Sequence, residues 1–397
     1  MLQMIEDVLF IIAMFILFWD AVGLINRWFN LKKRGFSISP GVVMWRTRRG
    51  LNLINRVGRA RRFWRVYGDL AVVVGIILMV FVFVNLVLNL AVLFTRPSAA
   101  VAGVQFVLPG LVPGLTPLAW VIAIATVLLV HEFAHGFLLS SQGLKVKSVG
   151  GMLFLAIPGA FVEPDEKQLV KAPVMKRLRM YAAGAFSNVL FAILCLGIIL
   201  LLLVPKPGAY VYAVAKGYPA DNHNIRLGMR LYSIDNFQIN TNEDFENFMS
   251  MTKPWQNVRV VTSAGENLIT LAQNPYIENR GYLGVAVITA FSRWNFVNPL
   301  FVLWTAMSEL LGSNVFHPYV FDAVVPWAVI DILKWIFVLN IGIGLFNLMP
   351  AVPLDGGYII RGMLEMMTSK ERAKQISMMV SVVVLAIIMA NFLPFIG

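Results

Sequence analysis

The chain has 397 residues, 58% of them hydrophobic and 14% charged, with a formal net charge of +12 at pH 7 and a mean hydropathy of +0.74. Soluble domains carry roughly 25% charged residues, so this composition excludes an ordinary soluble enzyme. A single cysteine, Cys195, excludes an intrachain disulfide framework and a cysteine-rich zinc site, leaving His and carboxylates as donors for any such metal.

The excess charge sits in one place. Between Arg27 and Arg65 there are 12 Lys/Arg and no Asp/Glu, leaving 21 basic residues elsewhere against 21 acidic ones. A basic loop between two apolar spans follows the positive-inside rule. Its aromatics (Trp28, Phe29, Trp45, Phe63, Trp64, Tyr67) suit anchoring on anionic lipid. The lipid bilayer is therefore the expected partner, and nucleic acid is not, because no nucleic-acid-binding motif accompanies the charge.

Six apolar spans are expected in chain order, at residues 8–25, 70–94, 118–140, 181–204, 325–348 and 376–395. The first reads as a signal anchor, since acidic residues precede it and no small-residue cleavage site follows. Residues 149–166 (VGGMLFLAIPGAFVEPDE) are apolar, strand-prone and interrupted by Gly and Pro. They suit a hairpin dipping in at membrane depth, with an edge on which an extended substrate strand could pair. Residues 205–290 are polar and strand-like, with the turn signals GYPADNHN and TSAGEN. The stretch 293–320 is apolar but broken by Asn295, Asn298, Pro299 and Glu309, and reads as an interfacial or re-entrant helix. His317 beyond it and His223 in a turn read as surface histidines.

Four parts result: 1–116 with two spans and the basic loop, 117–204 as the first half of a membrane core, 205–291 as an extramembrane module, and 292–397 as the second half. The fold class expected is a polytopic α-helical membrane protein with about six transmembrane helices and an inserted α+β domain.

Within the third span stands HEFAH, residues 131–135. Ionisable groups at membrane depth are costly and point to function. On a helix His131 and His135 lie about one turn apart on one face, the spacing for two ligands on one Zn²⁺. Glu132 beside them suits a general base acting on water. With the basic loop cytoplasmic, the third span runs inward, and His131 lies about 21 Å along the helix from Pro117, in the inner part of the bilayer. Catalytic zinc takes three protein ligands and an open position. The fifth span ends in NLMPAVPLDGG (347–357), on the inner side by span parity, and makes Asp355 the choice for third ligand. The competing readings are a loop aspartate in the cytoplasm for Asp355 and a buried His–Glu–His network without metal.

HEFAH and NLMPAVPLDGG resemble the two signature motifs of the site-2 protease family of intramembrane zinc metalloproteases. Gly184 and Asn188 in AAGAFSN resemble that family's Gly-xxx-Asn motif. The resemblance covers roughly 117–397 and implies one Zn²⁺ per chain on His131, His135 and Asp355, with Glu132 as base. It further implies a role for Asn347 at the substrate backbone or oxyanion and for Asn188 in substrate binding, although Asn188 also suits an interhelical hydrogen bond. Residues 210–290 resemble a circularly permuted PDZ domain, with GYLGV (281–285), including Tyr282 and Gly284, as the carboxylate-binding loop. Met229 after Gly228 and Asn236 depart from the PDZ pattern, so peptide binding and a steric gate stand as equal readings.

The function expected is regulated intramembrane proteolysis of a membrane-anchored protein near the cytoplasmic face, by a multi-pass cell-membrane protein with its PDZ-like domain outside. The few cysteines suit a prokaryotic member. The rivals are a non-catalytic scaffold or receptor with a structural metal and a transporter with a cation path. Neither needs a base beside the first ligand.

Overall fold

The computed structural model describes residues 16–26, 28–29, 35–39, 41–95, 107–154, 157–313 and 315–392. In chain order the elements begin with α1 (Ile16–Asn26), β1 (Phe36–Ser39), β2 (Val42–Thr47), α2 (Leu51–Val57), α3 (Arg61–Thr95) and α4 (Pro117–Ser141). Then come β3 (Val146–Phe154), β4 (Ile157–Pro164), α5 (Glu166–Lys171), α6 (Val174–Leu202), β5 (Leu203–Pro205), β6 (Ala209–Val214) and α7 (Pro219–Asn222). Next are β7 (Arg230–Ile234), β8 (Phe237–Gln238), α8 (Asn242–Ser250), β9 (Asn257–Thr262), β10 (Gly265–Thr270), β11 (Ala272–Gln273), β12 (Gly281–Tyr282) and β13 (Val285–Thr289). The chain closes with α9 (Pro299–Leu310), β14 (Phe321–Ala323), α10 (Trp327–Asn347), α11 (Asp355–Glu365) and α12 (Lys370–Asn391).

Among the described residues, five helices are long and apolar enough to cross a membrane: α3, α4, α6, α10 and α12. At 1.5 Å per residue the 25 residues of α4 reach about 37 Å, more than the ~30 Å hydrocarbon layer. Its start is set locally, by Pro117 in the first turn and by the Thr116 hydroxyl accepting from the Ala119 N–H. Of the expected first span, residues 8–15 lie outside the described residues and the rest is helical in α1. The last span starts earlier than its apolar run because Ser369 caps α12 by accepting from the Arg372 N–H; residues 393–395 lie outside the described residues.

Two compact units are present, Met1–Leu111 with Thr116–Ile193 and Trp335–Gly397, and Val112–Leu115 with Leu194–Lys334. In the first, lipid gives helices no hydrophobic reason to associate, so small residues allow close packing instead. Ala71 of α3 and Ala182 and Ala185 of α6 share a buried cluster with Leu178, Leu348 and Ile359. A Cβ added at Gly68 would sit 2.9 Å from Leu138 and 3.0 Å from Arg179, so α3, α4 and α6 meet at that glycine. Outward, α3 exposes Val73, Ile77, Val80, Val84 and Leu88 at intervals of three or four residues, an apolar stripe suited to lipid.

The basic segment 27–65 is more than a loop. Its β1 and β2 form a hairpin, and β2 pairs with β3 from Val42↔Phe154 to Thr47↔Val149, giving an antiparallel sheet in the order β1-β2-β3-β4. The alternation in FSISPGVVMWRT around Pro40-Gly41 was the available signal. The expected 149–166 hairpin forms as β3 and β4, with β4 at the sheet edge.

At one end of the first unit the Arg177 guanidinium and Arg361 hold Glu365, whose side chain is 2% exposed. Burial pushes the Glu365 carboxyl up, but the Arg177 hydrogen bond and the charges of Arg177, Arg361 and Lys370 outweigh it, and the carboxyl lies below its ordinary value. A depressed carboxyl stabilises the fold above its unfolded pKa and loses that contribution as pH falls. Glu365→Gln should therefore melt below the wild type at pH 7, with the gap closing below about pH 5 in thermal melts.

The second unit carries an antiparallel sheet in the order β10-β9-β7-β6-β13, with β8 beside β7. Val211, Leu231, Ile234, Val258, Val260 and Ile269 form its core with Phe245 of α8. A capping box between Thr241 and Asp244 starts α8. A 3₁₀ turn at Arg293–Val297 precedes α9, whose 12 residues reach about 18 Å, too short to span. Glu309, expected only to interrupt this helix, is 2% exposed. It accepts from the Val315 and Phe316 N–H groups and pairs with Lys334 at 3.2 Å.

Candidate metal centre

His131 and His135 project from one face of α4, with ring centroids 4.6 Å apart and planes at 82°. Asp355 is the first residue of α11 and arrives through a tight turn after α10. Two glycines permit that turn: a Cβ at Gly356 would lie 2.1 Å from the Leu348 carbonyl oxygen, and one at Gly357 would lie 2.3 Å from the Val352 nitrogen. The Asp355 Oδ2 atom comes 3.2 Å from His131 Nε2 and 3.4 Å from His135 Nε2. Despite these distances it is buried without a hydrogen bond of acceptable geometry. Among the described residues one group of His, Cys, Asp and Glu can hold a metal, and it is this one, with its ligand atoms all within 4.8 Å of one another.

The surroundings orient the donors. The His135 Nδ1–H donates to the Met180 carbonyl at 2.7 Å, which leaves Nε2 as a free lone pair. Asn188 is fully buried, with its amide 3.4 Å from His131 Nδ1. The contacting atom is Nδ2 and Oδ1 has no partner; an amide turned to present that oxygen would accept from a His131 Nδ1–H. Gly184 backs both rings: a Cβ there would lie 2.5 Å from His135 Nε2 and 2.7 Å from His131 Nε2. Two imidazoles and a carboxylate with an orphaned oxygen, in a cradle open only because one residue lacks a side chain, fit a zinc ion with three protein ligands.

Glu132 does not join the ligands. Its Oε2 accepts the Val162 N–H of β4 at 2.8 Å, so one carboxylate oxygen is pinned by the sheet edge while Oε1 remains available. Sequence reasoning placed the hairpin nearby but gave no sign of this bond, which depends on the backbone direction of β4.

The other residues singled out fall in different places. Asn347 is the last residue of α10, partly buried and eight positions before Asp355. Gly284 lies in the second unit with a φ of 85° before β13, packed against Tyr218, where a Cβ would come within 2.5 Å. His223 Nδ1 bonds the Pro219 carbonyl and His317 Nδ1 accepts the Tyr319 N–H, both local contacts within turns. Cys195 is buried in α6.

The family model described as Peptidase family M50 matches residues 119–390. An uncharacterized protein of Methanocaldococcus jannaschii is 26% identical over 370 residues, 92% of this chain and 87% of that protein. The membrane-bound transcription factor site-2 protease homolog of Arabidopsis thaliana is 31% identical over 134 residues, 33% of this chain and 25% of that one. A Staphylococcus aureus protein provisionally named a zinc metalloprotease is 22% identical over 236 residues, 50% of this chain. The chain spans about half the length of the Staphylococcus protein, 53%, and a quarter of the Arabidopsis one, 25%.

Proposed function

The chain belongs to peptidase family M50, an integral membrane member of a metalloprotease family, and from that premise we propose that it is a zinc endopeptidase that cleaves membrane-anchored proteins within the bilayer near the cytoplasmic face. The observation that carries the proposal is the convergence of His131, His135 and Asp355 beside a Glu132 that is held but not consumed. Those three side chains would hold a zinc ion, which would supply Lewis-acid polarisation of the scissile carbonyl and lower the pKa of a water.

The chain's own groups do the rest. Glu132 Oε1 takes the proton from the attacking water and delivers it to the leaving amine nitrogen, while Oε2 stays on the Val162 N–H. The Met180 carbonyl keeps His135 in one tautomer, and Asn188 with its oxygen turned to Nδ1 would do the same for His131. Asn188 acts in this reading through His131 and not on the substrate, and Asn347 is assigned to the substrate backbone or oxyanion. A helical substrate has its backbone hydrogen bonds satisfied internally, so its scissile region must unwind before it can react. The outer edge of β4, beside the Val162–Glu132 contact, offers strand pairing that offsets the cost. The basic segments are placed on the cytoplasmic side and the PDZ-like module, residues 205–291, outside.

The test is zinc content by metal analysis together with cleavage of a membrane-spanning test protein in detergent, for wild type and Asp355→Ala. The wild type should carry one zinc and cut, and Asp355→Ala should lose most of the metal and the cleavage. Outer-shell changes cost zinc sites roughly 10–100-fold in metal affinity, so removing a ligand should cost at least that. Stoichiometric zinc in the wild type with no cleavage of any membrane-spanning protein would instead favour a scaffold with a structural metal.

A further inference from the structure

One cavity of the first unit lies outside the metal centre. About 190 Å³ in volume, it opens between α5, α6, α11 and the start of α12, at the end of α11 opposite Asp355. Arg177, Arg361 and Lys370 line it, together with one carboxylate, Glu365. The local balance is therefore three cations to one anion. Glu365 is nearly buried and already committed to both guanidiniums. Even so, the Nε of Arg177 is buried without a hydrogen-bond partner, whereas the Arg361 Nε faces Glu365 Oε1 at 3.4 Å. The Arg177 side chain is only 11% exposed, so water does not readily satisfy it. That leftover donor, in a cavity where two arginines with planar forks and a lysine face one committed carboxylate, points to an anionic ligand.

We propose that this cavity binds a phosphate group. Its volume is below the roughly 300–1,000 Å³ of sites for drug-sized molecules, which suits a compact head and not a nucleotide. Two features favour a phospholipid as the source. Leu169 and Val170 add an apolar wall to the cavity, and Val170 is 61% exposed. Arg177 also stands in the first turn of α6, a membrane-spanning candidate, beside Lys171, Lys176 and Arg179, where the inner-leaflet headgroups of an anionic membrane would lie. A phosphate between Arg177 and Arg361 would tie α6 to α11. Those two helices bring Gly184 and Asp355 to the metal centre, so occupancy would brace that centre. Only this last consequence rests on the proposed protease reading.

The test reads binding without proteolysis, on the full-length protein in nanodiscs. Melting temperature and retained lipid, by native mass spectrometry, are compared for phosphatidylcholine discs, discs doped with phosphatidylglycerol, and phosphatidylcholine discs with added inorganic phosphate. Phosphatidylglycerol should raise the wild-type melting temperature and remain bound. Arg361→Gln should weaken its apparent affinity about ten-fold, as expected for loss of charge-assisted hydrogen bonds. Lys370→Gln, at a more exposed position, gives the same reading should Arg361→Gln fold poorly. Arg372→Gln, basic and nearby but outside the cavity, should behave as wild type. Inorganic phosphate without effect assigns the site to lipid, whereas inorganic phosphate alone matching the shift assigns it to the free ion. A shift unchanged in both cavity variants, or lost equally in Arg372→Gln, reduces the effect to general surface charge and overturns the proposal.

Discussion

Glu132→Gln should lose roughly 10²–10⁴-fold in cleavage rate while keeping its zinc, the range that a positioned general acid–base contributes. The expectation rests on the division of labour within one carboxylate. Oε2 receives the Val162 N–H at 2.8 Å, and glutamine can accept the same bond through its amide oxygen. Shape, burial and the β4 contact are therefore preserved, and only the ability to take a proton disappears. Glu132 is not among the three converging ligands, so metal content should be unchanged. Measuring zinc and single-turnover cleavage on the same preparation separates the two roles. Substantial residual proteolysis by this variant would remove Glu132 from the chemistry.

Gly184→Ala should be nearly as damaging by a different route. A methyl group there would stand 2.5 Å from His135 Nε2, 2.6 Å from His131 Cε1 and 2.7 Å from His131 Nε2, closer than any real Cβ contact. The obstruction is the outer edge of two rings that cannot swing aside freely, because the Met180 carbonyl holds one imidazole and Asn188 lies against the other. One or both rings must move. A misplacement of about 1 Å in a catalytic constellation costs on the order of 10²-fold. Unlike Glu132→Gln, this variant should lose zinc along with activity. Gly197→Ala on the same helix, where nothing lies within 4 Å, should retain both. A Gly184→Ala protein with full zinc and full activity would show that the rings are not backed by this glycine.

These two variants also divide what could be read from the chain. The pairing of His131 with His135 was legible because HEFAH is local: one turn of helix fixes which side chains share a face, and Glu132 stands next in the chain. Asp355 followed from span order and charge placement, again properties of the linear sequence. Gly184 could be singled out only by resemblance to a motif, and nothing in AAGAFSN says that its missing side chain makes room for two imidazoles. The basic segment shows the same limit. Its charge predicted a loop at the membrane surface, and its alternating residues became two strands of the sheet whose far edge touches Glu132. Strand pairing joins Val42 to Phe154, more than a hundred residues away, and no local period encodes such a partner.

By itself the sequence marked an integral membrane chain and a candidate donor set of two histidines and a carboxylate, and it led us to propose Glu132 as the base. Each of these depends on composition or on contacts within a turn or two of helix. Tertiary structure alone decided that Asp355 meets both histidines, that the Met180 carbonyl and Asn188 lie against their far nitrogens, that β4 pins Glu132, and that Arg177 and Arg361 line one cavity. Those contacts are set by how helices rotate and cross. In a bilayer, apolar faces look alike to lipid and to protein, so the hydrophobic pattern marks what can be buried in the membrane without saying which neighbour it meets.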